Sequence, residues 1–392
     1  MHTASLKRTI FLYRLFWMFK EPFFWAPIII TYINHVGGMS IPEIYIMEAV
    51  VVIGLVVLEI PTGALADLVG RRRVLHWGAT MNMVNVIFLA FASTPLMIWI
   101  SNIFWMIGFA LISGADSAFL FDALKREGRE AEYKKISGKA IGDGFFFVAF
   151  GSLAAGFLYS IDPRLPIALS APFVAVSSFA AFFFPEADRR EPYSARAQLR
   201  IMKESVATVF SKARLLWIAG FTMFIAVVGK LWFFTYNPYY ELVGLDVKWY
   251  GAVFFGMNVA AWLTSRNAHA IEARLGERGS CIAMALCISI PIVLMGAVAA
   301  LPLVAMTLAQ NFVRGYQRPF LEHFLHRHVR SENRATVLSV QSALVGFASS
   351  IGLWTFGVVL GFVDLPHALM LLGGSAFVLG ALIILTYKRI FS

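Results

Sequence analysis

Residues 59–73 read EIPTGALADLVGRRR. An apolar run that begins near Val50 and takes in Leu58, Ile60, Leu65 and Leu68 is interrupted by Glu59 and Asp67 and stopped by three arginines. In a soluble chain this would be a surface turn. Here 59% of the 392 residues are hydrophobic and only 14% are charged, whereas soluble domains carry about a quarter charged residues. The composition predicts a protein that crosses a membrane many times, so the stretch marks the edge of one hydrophobic segment.

Working outward from it, a spanning helix needs about 20 mainly apolar residues. Breaks at glycine, proline and charge clusters then divide the chain into twelve spans, 10–34, 43–65, 74–93, 96–123, 138–160, 165–184, 214–237, 248–270, 280–299, 301–325, 335–361 and 366–387. Lys7, Arg8, Arg71–Arg73, the basic residues of 125–139, those of 189–214, Arg274, Arg278, Arg327, Arg330, Arg334, Lys388 and Arg389 all fall on one side of this ladder. Only Arg164 and Lys248 fall between spans on the other. Basic loops stay in the cytoplasm, which predicts cytoplasmic termini and explains the net charge of +10 without nucleic acid. The apolar stretch from Ile10 lacks a small-residue cleavage site and reads as a first span. Cys281 and Cys287 lie six apart in one apolar run and read as packing residues.

The segment 185–213, the one long polar stretch, carries Ile201, Val206, Val209 and Phe210 as an apolar stripe. It reads as a cytoplasmic linker with an amphipathic helix on the membrane surface, joining a six-helix half, 1–184, to a second, 214–392. The halves repeat. GADSAFLFDAL (114–124) and GYQRPFLEHFL (315–325) end spans 4 and 10 and share Gly114/Gly315, Phe119/Phe320, Leu120/Leu321 and Leu124/Leu325. Two related six-helix bundles are a transporter architecture with the binding site near mid-membrane.

GALADLVGRRR (63–73) resembles the signature between helices 2 and 3 of the major facilitator superfamily, matching at Gly63, Asp67, Gly70, Arg71 and Arg72. RATVLS (334–339) is also similar to its bacterial members. The resemblance implies an all-α fold of twelve transmembrane helices in two pseudo-symmetric six-helix bundles, working by alternating access in a bacterial inner membrane. It also implies a cytoplasmic gate in which Arg71 reaches a carboxylate at the end of span 4, where Asp122 lies. Gly63 would let helix 2 approach a neighbour closely, and Asp143, between two glycines at the start of span 5, joins the gate. The resemblance does not extend to two marks of the drug–proton antiporters. Span 4 has no arginine midway, and span 5 has Ser152 where a Gly-Pro pair would stand.

Charge at bilayer depth costs at least about 2.5–3.5 kcal/mol per residue and so faces a cavity or a partner. Span 1 holds Arg14, Lys20 and Glu21, span 4 Asp116 and Asp122, span 7 Lys230, and span 10 Arg314, Arg318 and Glu322. Spans 3, 6, 9 and 12 hold none. Arg314, Arg318 and Glu322 recur every four residues and share a face. Glu322 can pair with Arg318 as part of a gate; Arg314 has no acid at i±4. Arg314 is therefore the leading substrate residue, its planar fork suited to a carboxylate or phosphate, with Arg318, Lys230 and Trp17 beside it. Lys230 could instead snorkel outward. Glu21 and Asp116 are the proton-coupling acids, with fixed ion pairs as the competing reading. His323, His326 and His328 fall at a basic helix end and are not read as a metal site.

The sequence thus predicts a secondary transporter of a small organic solute. The first reading is proton-coupled efflux of an amphipathic or anionic compound. The alternatives are a proton-coupled importer or facilitator of an anionic or zwitterionic metabolite, and a receptor on a transporter fold. No nucleophile with its base, phosphate-cradling loop or ligand set points to an enzyme. The partners expected are the solute and the bilayer, with no nucleic acid, a monomeric state, and no cofactor beyond a proton gradient.

Overall fold

The computed structural model describes residues 2–185, 207, 209–328 and 331–391. The linker reading for 185–213 and the Glu322, His326 and His328 side chains lie outside the residues so described, as do the side chains of RATVLS. The helices are α1 (His2–Phe19), α2 (Ile29–His35), α3 (Ile41–Val69), α4 (Arg71–Phe91), α5 (Pro95–Ile112), α6 (Ala115–Lys125), α7 (Tyr133–Ile161) and α8 (Leu165–Phe182). They continue with α9 (Ala213–Leu242), α10 (Tyr250–Arg266), α11 (Ala268–Val298), α12 (Thr307–His328), α13 (Ser331–Leu360) and α14 (Leu365–Phe391). Among the described residues there is no strand.

Among the described residues, nine helical segments are long and apolar enough to cross a membrane by length and composition. The three other expected spans are those where helix or apolarity is interrupted. Span 10 (α12) carries the arginines, and span 8 (α10) has only 17 residues. Span 1 is not the continuous helix that the sequence reading assigned to 10–34. It stops at Phe19 and resumes at Ile29, because Pro22 and Pro27 remove donors and push the residues before them out of helical conformation. Span 4 is likewise two helices, α5 and α6, hinged at Ser113–Gly114.

The chain forms two compact units, residues 1–39, 53–198 and 247–252, and residues 40–52, 199–246 and 253–392. In the first unit, α1 packs on α7 and α8, and α4 on α5 and α8. Tyr13, Phe16, Val74, Leu75, Phe119, Leu120 and Phe184 are central to its core. In the second unit α11 packs on α12 and α14, and α9 on α13 and α14.

The break in span 1 exposes backbone groups that must find partners. The Phe24 N–H donates to Ser170 Oγ (3.1 Å), and the Lys20 carbonyl accepts from Asn82 Nδ2 (3.5 Å). Two glycines of α7 lie against the first span near this bend. A Cβ on Gly144 would sit 2.9 Å from the Trp17 carbonyl oxygen, and one on Gly151 would sit 2.8 Å from that of Phe23. At these two positions a side chain larger than hydrogen would collide with the first span.

Candidate functional site

On α12, Tyr316, Phe320 and Phe324 recur at i+4 and stack in a buried column, with ring centroids 5.5 and 5.6 Å apart. Arg314 and Arg318 recur at the same spacing, offset by two residues, which is about 200° around a helix. Burying the aromatic column therefore turns the arginines to the opposite, exposed face. The sequence reading placed them on one face, and the column explains which.

Arg314 Nη2 donates to Asn258 Oδ1 on α10 at 2.6 Å. Asn258 is held by its own Nδ2, which donates to the Phe254 carbonyl at 2.8 Å. Among the described residues no carboxylate pairs with Arg314, so a neutral amide meets one edge of the guanidinium and the other donors stay available. One turn before it, the buried Asn311 Nδ2 donates to the Thr307 carbonyl (3.0 Å) and the Tyr236 hydroxyl (3.3 Å), while its Oδ1 has no hydrogen-bond partner. Gln310 Nε2 donates to the Gly229 carbonyl at 2.7 Å, tying α12 to α9 one residue before Lys230. Tyr236 and Tyr240 stack in parallel, 6.2 Å between centroids. The result is a cation beside amides and phenols, able to hold an anion and hydrogen-bond the rest of a small polar solute.

Lys230 does not stand alone. It lies within electrostatic reach of Glu48, on the first part of α3, inside the same unit. Glu48, Asn258, Gln310, Asn311 and Tyr236 were all missed by the sequence reading. For Glu48 the signal was present, an acid alone in IYIMEAVVV, and the desolvation argument applied to other spans covers it.

Trp17, Glu21 and Asp116 belong to the first unit, apart from Arg314 and Lys230 in the second. Lys20 Nζ stands 3.5 Å above the Trp17 ring, a close cation–π contact. Among the described residues, Trp17 Nε1 and Tyr13 Oη are buried with no hydrogen-bond partner. Asp116, at the start of α6, is 7% exposed, receives the Ser117 N–H at 2.6 Å, and lies within electrostatic reach of Lys20. Glu21 lies in the break, beyond the end of α1. The helix stops before this acid, so Glu21 does not share a helical face with Arg14 and Trp17. Arg14 instead pairs with Asp143 on α7, at 2.6 Å.

The residues read as a cytoplasmic gate converge. Arg71 Nη1 donates to Asp122 and, at 2.9 Å, to the Ala118 carbonyl, and Asp67 stands 3.8 Å from Nη2. Gly70, at φ +98°, makes the turn from α3 to α4, a conformation that favours glycine. Gly63 differs from expectation. A Cβ there would meet nothing within 4 Å, so this structure contains no close helix approach at that point. His323 pairs with Glu272 at 2.8 Å, and Arg327 with Glu277 at 2.8 Å, joining the C-terminal end of α12 to α11.

Charges placed inside long apolar helices, a broken first span and an arginine met by an amide and by no carboxylate among the described residues are features of a polytopic membrane transporter. The family model for the Major Facilitator Superfamily matches residues 9–352, and the chain belongs to that superfamily. It is 26% identical over 243 residues to the uncharacterized MFS-type transporter YxaM of Bacillus subtilis (strain 168). That match spans 59% of this chain and 59% of the relative. Among solved structures it is similar to the nucleoside transporter NupG, with TM-score 0.77, 13% identity and 99% of each chain covered. A bacterial homolog to the human lysosomal transporter Spinster, in an inward-facing and unoccupied conformation, gives TM-score 0.72 and 14% identity over 100% of this chain and 97% of that one. These structural likenesses establish the fold.

Proposed function

We propose that this transporter moves a small organic anion in a proton-coupled cycle, with Arg314 as its anchor. The observation that carries the reading is the guanidinium of Arg314, fixed by Asn258 at 2.6 Å and facing no carboxylate among the described residues. Lys230, Arg318 and the open acceptor of Asn311 extend the polar surface of the same unit. Asp116 and Glu21 are the proton-coupling acids of the first unit. Asp67, Gly70, Arg71, Asp122 and Asp143 serve cytoplasmic closure, in a bacterial inner membrane with both termini inside. A second reading, efflux of an amphipathic compound, is favoured by the exposed rings of Phe145, Phe146 and Phe150 on α7. Many other rings are already engaged with one another, as in Phe23 stacked on Phe173 at 5.0 Å, so the anion reading comes first.

The test is a thermal-shift screen of the purified full chain against carboxylates, phosphate esters, nucleosides and neutral amphipaths. A ligand at a hundred times its Kd stabilises the folded state by about 2.7 kcal/mol. The expected result is a shift by an anion that Arg314→Ala weakens about ten- to a hundredfold, the worth of a charged hydrogen bond of about 1.5–3 kcal/mol. A shift by neutral amphipaths alone, untouched by Arg314→Ala, overturns the anion reading in favour of the second.

A further inference from the structure

Glu48 lies on α3 seven residues after its start at Ile41, roughly 10 Å into the helix at 1.5 Å per residue. Lys230 is twelve residues from the far end of α9 at Leu242, roughly 18 Å by the same rise. Both charges therefore lie well within apolar helices. Bonds of neighbouring residues bring their two helices together at this level. Tyr45, fully buried one turn before Glu48, donates its hydroxyl to the carbonyl of Leu231 at 2.9 Å, the residue after Lys230. Ser350 Oγ donates to the Ala49 carbonyl at 2.7 Å from α13. These two bonds pin the register of α3 against α9 and α13 on either side of Glu48. Among the described residues no second titratable group of α9 or α13 faces Glu48, and none other than Glu48 faces Lys230 in this way.

A pair of this kind is costly as an ornament. Each charge alone at depth costs about 2.5–3.5 kcal/mol, and an apolar pair of the same volume is often as stable or more so. Its chemical use lies in exchange. Lys230 is two residues before Trp232 and one after Gly229, whose carbonyl receives Gln310 from the Arg314 helix. A solute anion held by the Arg314 guanidinium thus has a second cation, the Lys230 ammonium, on the adjoining helix to compete for.

We propose that Glu48 is the exchangeable counter-ion of Lys230: a solute anion that takes the ammonium leaves the Glu48 carboxylate to bind one proton from the water open to the site. The balance is one anion and one proton bound together, and release reverses it, the proton leaving Glu48 as the ammonium returns. The proposal rests on the anion reading of the Arg314 site and deepens it, by placing a coupling acid in the second unit.

The test uses the full chain in nanodiscs, treated with a hydrophobic carbodiimide that modifies a carboxyl only when protonated. Modification of Glu48 is mapped by peptide mass spectrometry, with no solute needed. Removing an opposite charge from the electrostatic surroundings of a carboxyl shifts it by about a unit, which is tenfold in its protonated fraction. Lys230→Gln should therefore raise labelling of Glu48 about tenfold at neutral pH, and Lys230→Arg should label as the wild type does. Lys230→Met, apolar and suited to this depth, replaces the glutamine variant where that fails to fold. Equal labelling in wild type and in Lys230→Gln or Lys230→Met, or no labelling in any of them, overturns the proposal. Arg314→Ala separates the two ideas. Lys230-dependent labelling together with solute shifts indifferent to Arg314→Ala removes the anchor and keeps the exchange. Labelling indifferent to Lys230, with the solute shift lost in Arg314→Ala, does the reverse.

Discussion

Asp122→Asn should destabilise the first unit more than removing both partners of its ion pair. Arg71 and Asp122 are 13% and 14% exposed at their side chains, which puts them close to the buried limit, where stranding one charge costs about 3–5 kcal/mol. Two contacts survive the change. The Ala118 carbonyl at 2.9 Å still accepts from Arg71, and Asp67 remains 3.8 Å away. These bring the expected loss to about 2–3 kcal/mol, given that a charged hydrogen bond contributes about 1.5–3 kcal/mol. At about 2–4 °C per kcal/mol for a unit of 150–250 residues, the apparent melting temperature should fall by roughly 5–10 °C. Arg71→Met removes the cation and leaves Asp122 at the helix end, and should cost less than leaving the buried guanidinium without its carboxylate. The Arg71→Met/Asp122→Asn double variant removes both buried charges of the pair, leaving only the more exposed Asp67 without its cation, and should melt above Asp122→Asn. The assay is intrinsic fluorescence melting of the four proteins in one detergent, closed as a double-mutant cycle. A double variant as unstable as the sum of the singles, or an Asp122→Asn protein that melts with the wild type, would refute the reasoning.

Gly144→Ala should cost about 1–3 kcal/mol by overpacking, since the added carbon meets a backbone oxygen, that of Trp17, at 2.9 Å; Gly142→Ala, in open space, is the control, and equal melting of the two proteins would dispose of the idea that glycine makes room for the bend. A pH effect is expected at the start of α14. His367 donates its N–H to Asp364 Oδ1 at 3.0 Å, and its ring meets the same oxygen at 2.6 Å. These bonds hold the Asp364 carboxyl below its ordinary value. The group binds its proton less readily folded than unfolded, so its contribution is complete above the ordinary carboxylate range and is lost as pH falls through the depressed folded value. Hydrogen exchange at the His367 amide, read as protection relative to the intrinsic rate at each pH and expected to be high near neutrality and lost on acidification, checks it; a protection that Asp364→Ala leaves unchanged would show that the cap plays no part.

The fold was legible because its signals are long and redundant. Twenty-residue apolar runs, one-sided basic loops and GALADLVGRRR each lead to the same architecture, and the Arg71–Asp122 pair follows from placing two ends at one level. The site was legible only in part. Arg314 stood out through the absence of an acid at i±4, a local property. Asn258 is 56 positions away in sequence and reaches Arg314 by the way α10 packs on α12, which no local pattern encodes. The break in span 1 was available in KEPFFWAP, where Pro22 and Pro27 forbid a continuous helix, but the apolar count of the flanking residues outweighed it. Glu48 was passed over because the surrounding residues are uniformly apolar and no cation lies within helical reach in sequence. Its partner is on another helix.

The interrupted first span has a consequence for how the protein enters the membrane. Within 10–34 it carries Arg14, Lys20 and Glu21, each costing about 2.5–3.5 kcal/mol at the centre of an inserting helix, and a helix of seven residues, Ile29–His35, as its remainder. Such a segment is a poor substrate for insertion on its own merits. What pays this cost is made later. Asp143 and Gly144 on α7 and Ser170 and Phe173 on α8 meet Arg14, the bent backbone and the rings of Phe19 and Phe23. The segment translated first therefore reaches its final place only after helices made more than a hundred residues later have arrived, and a chain truncated before α7 should leave it stranded at the interface, open to quality-control proteases.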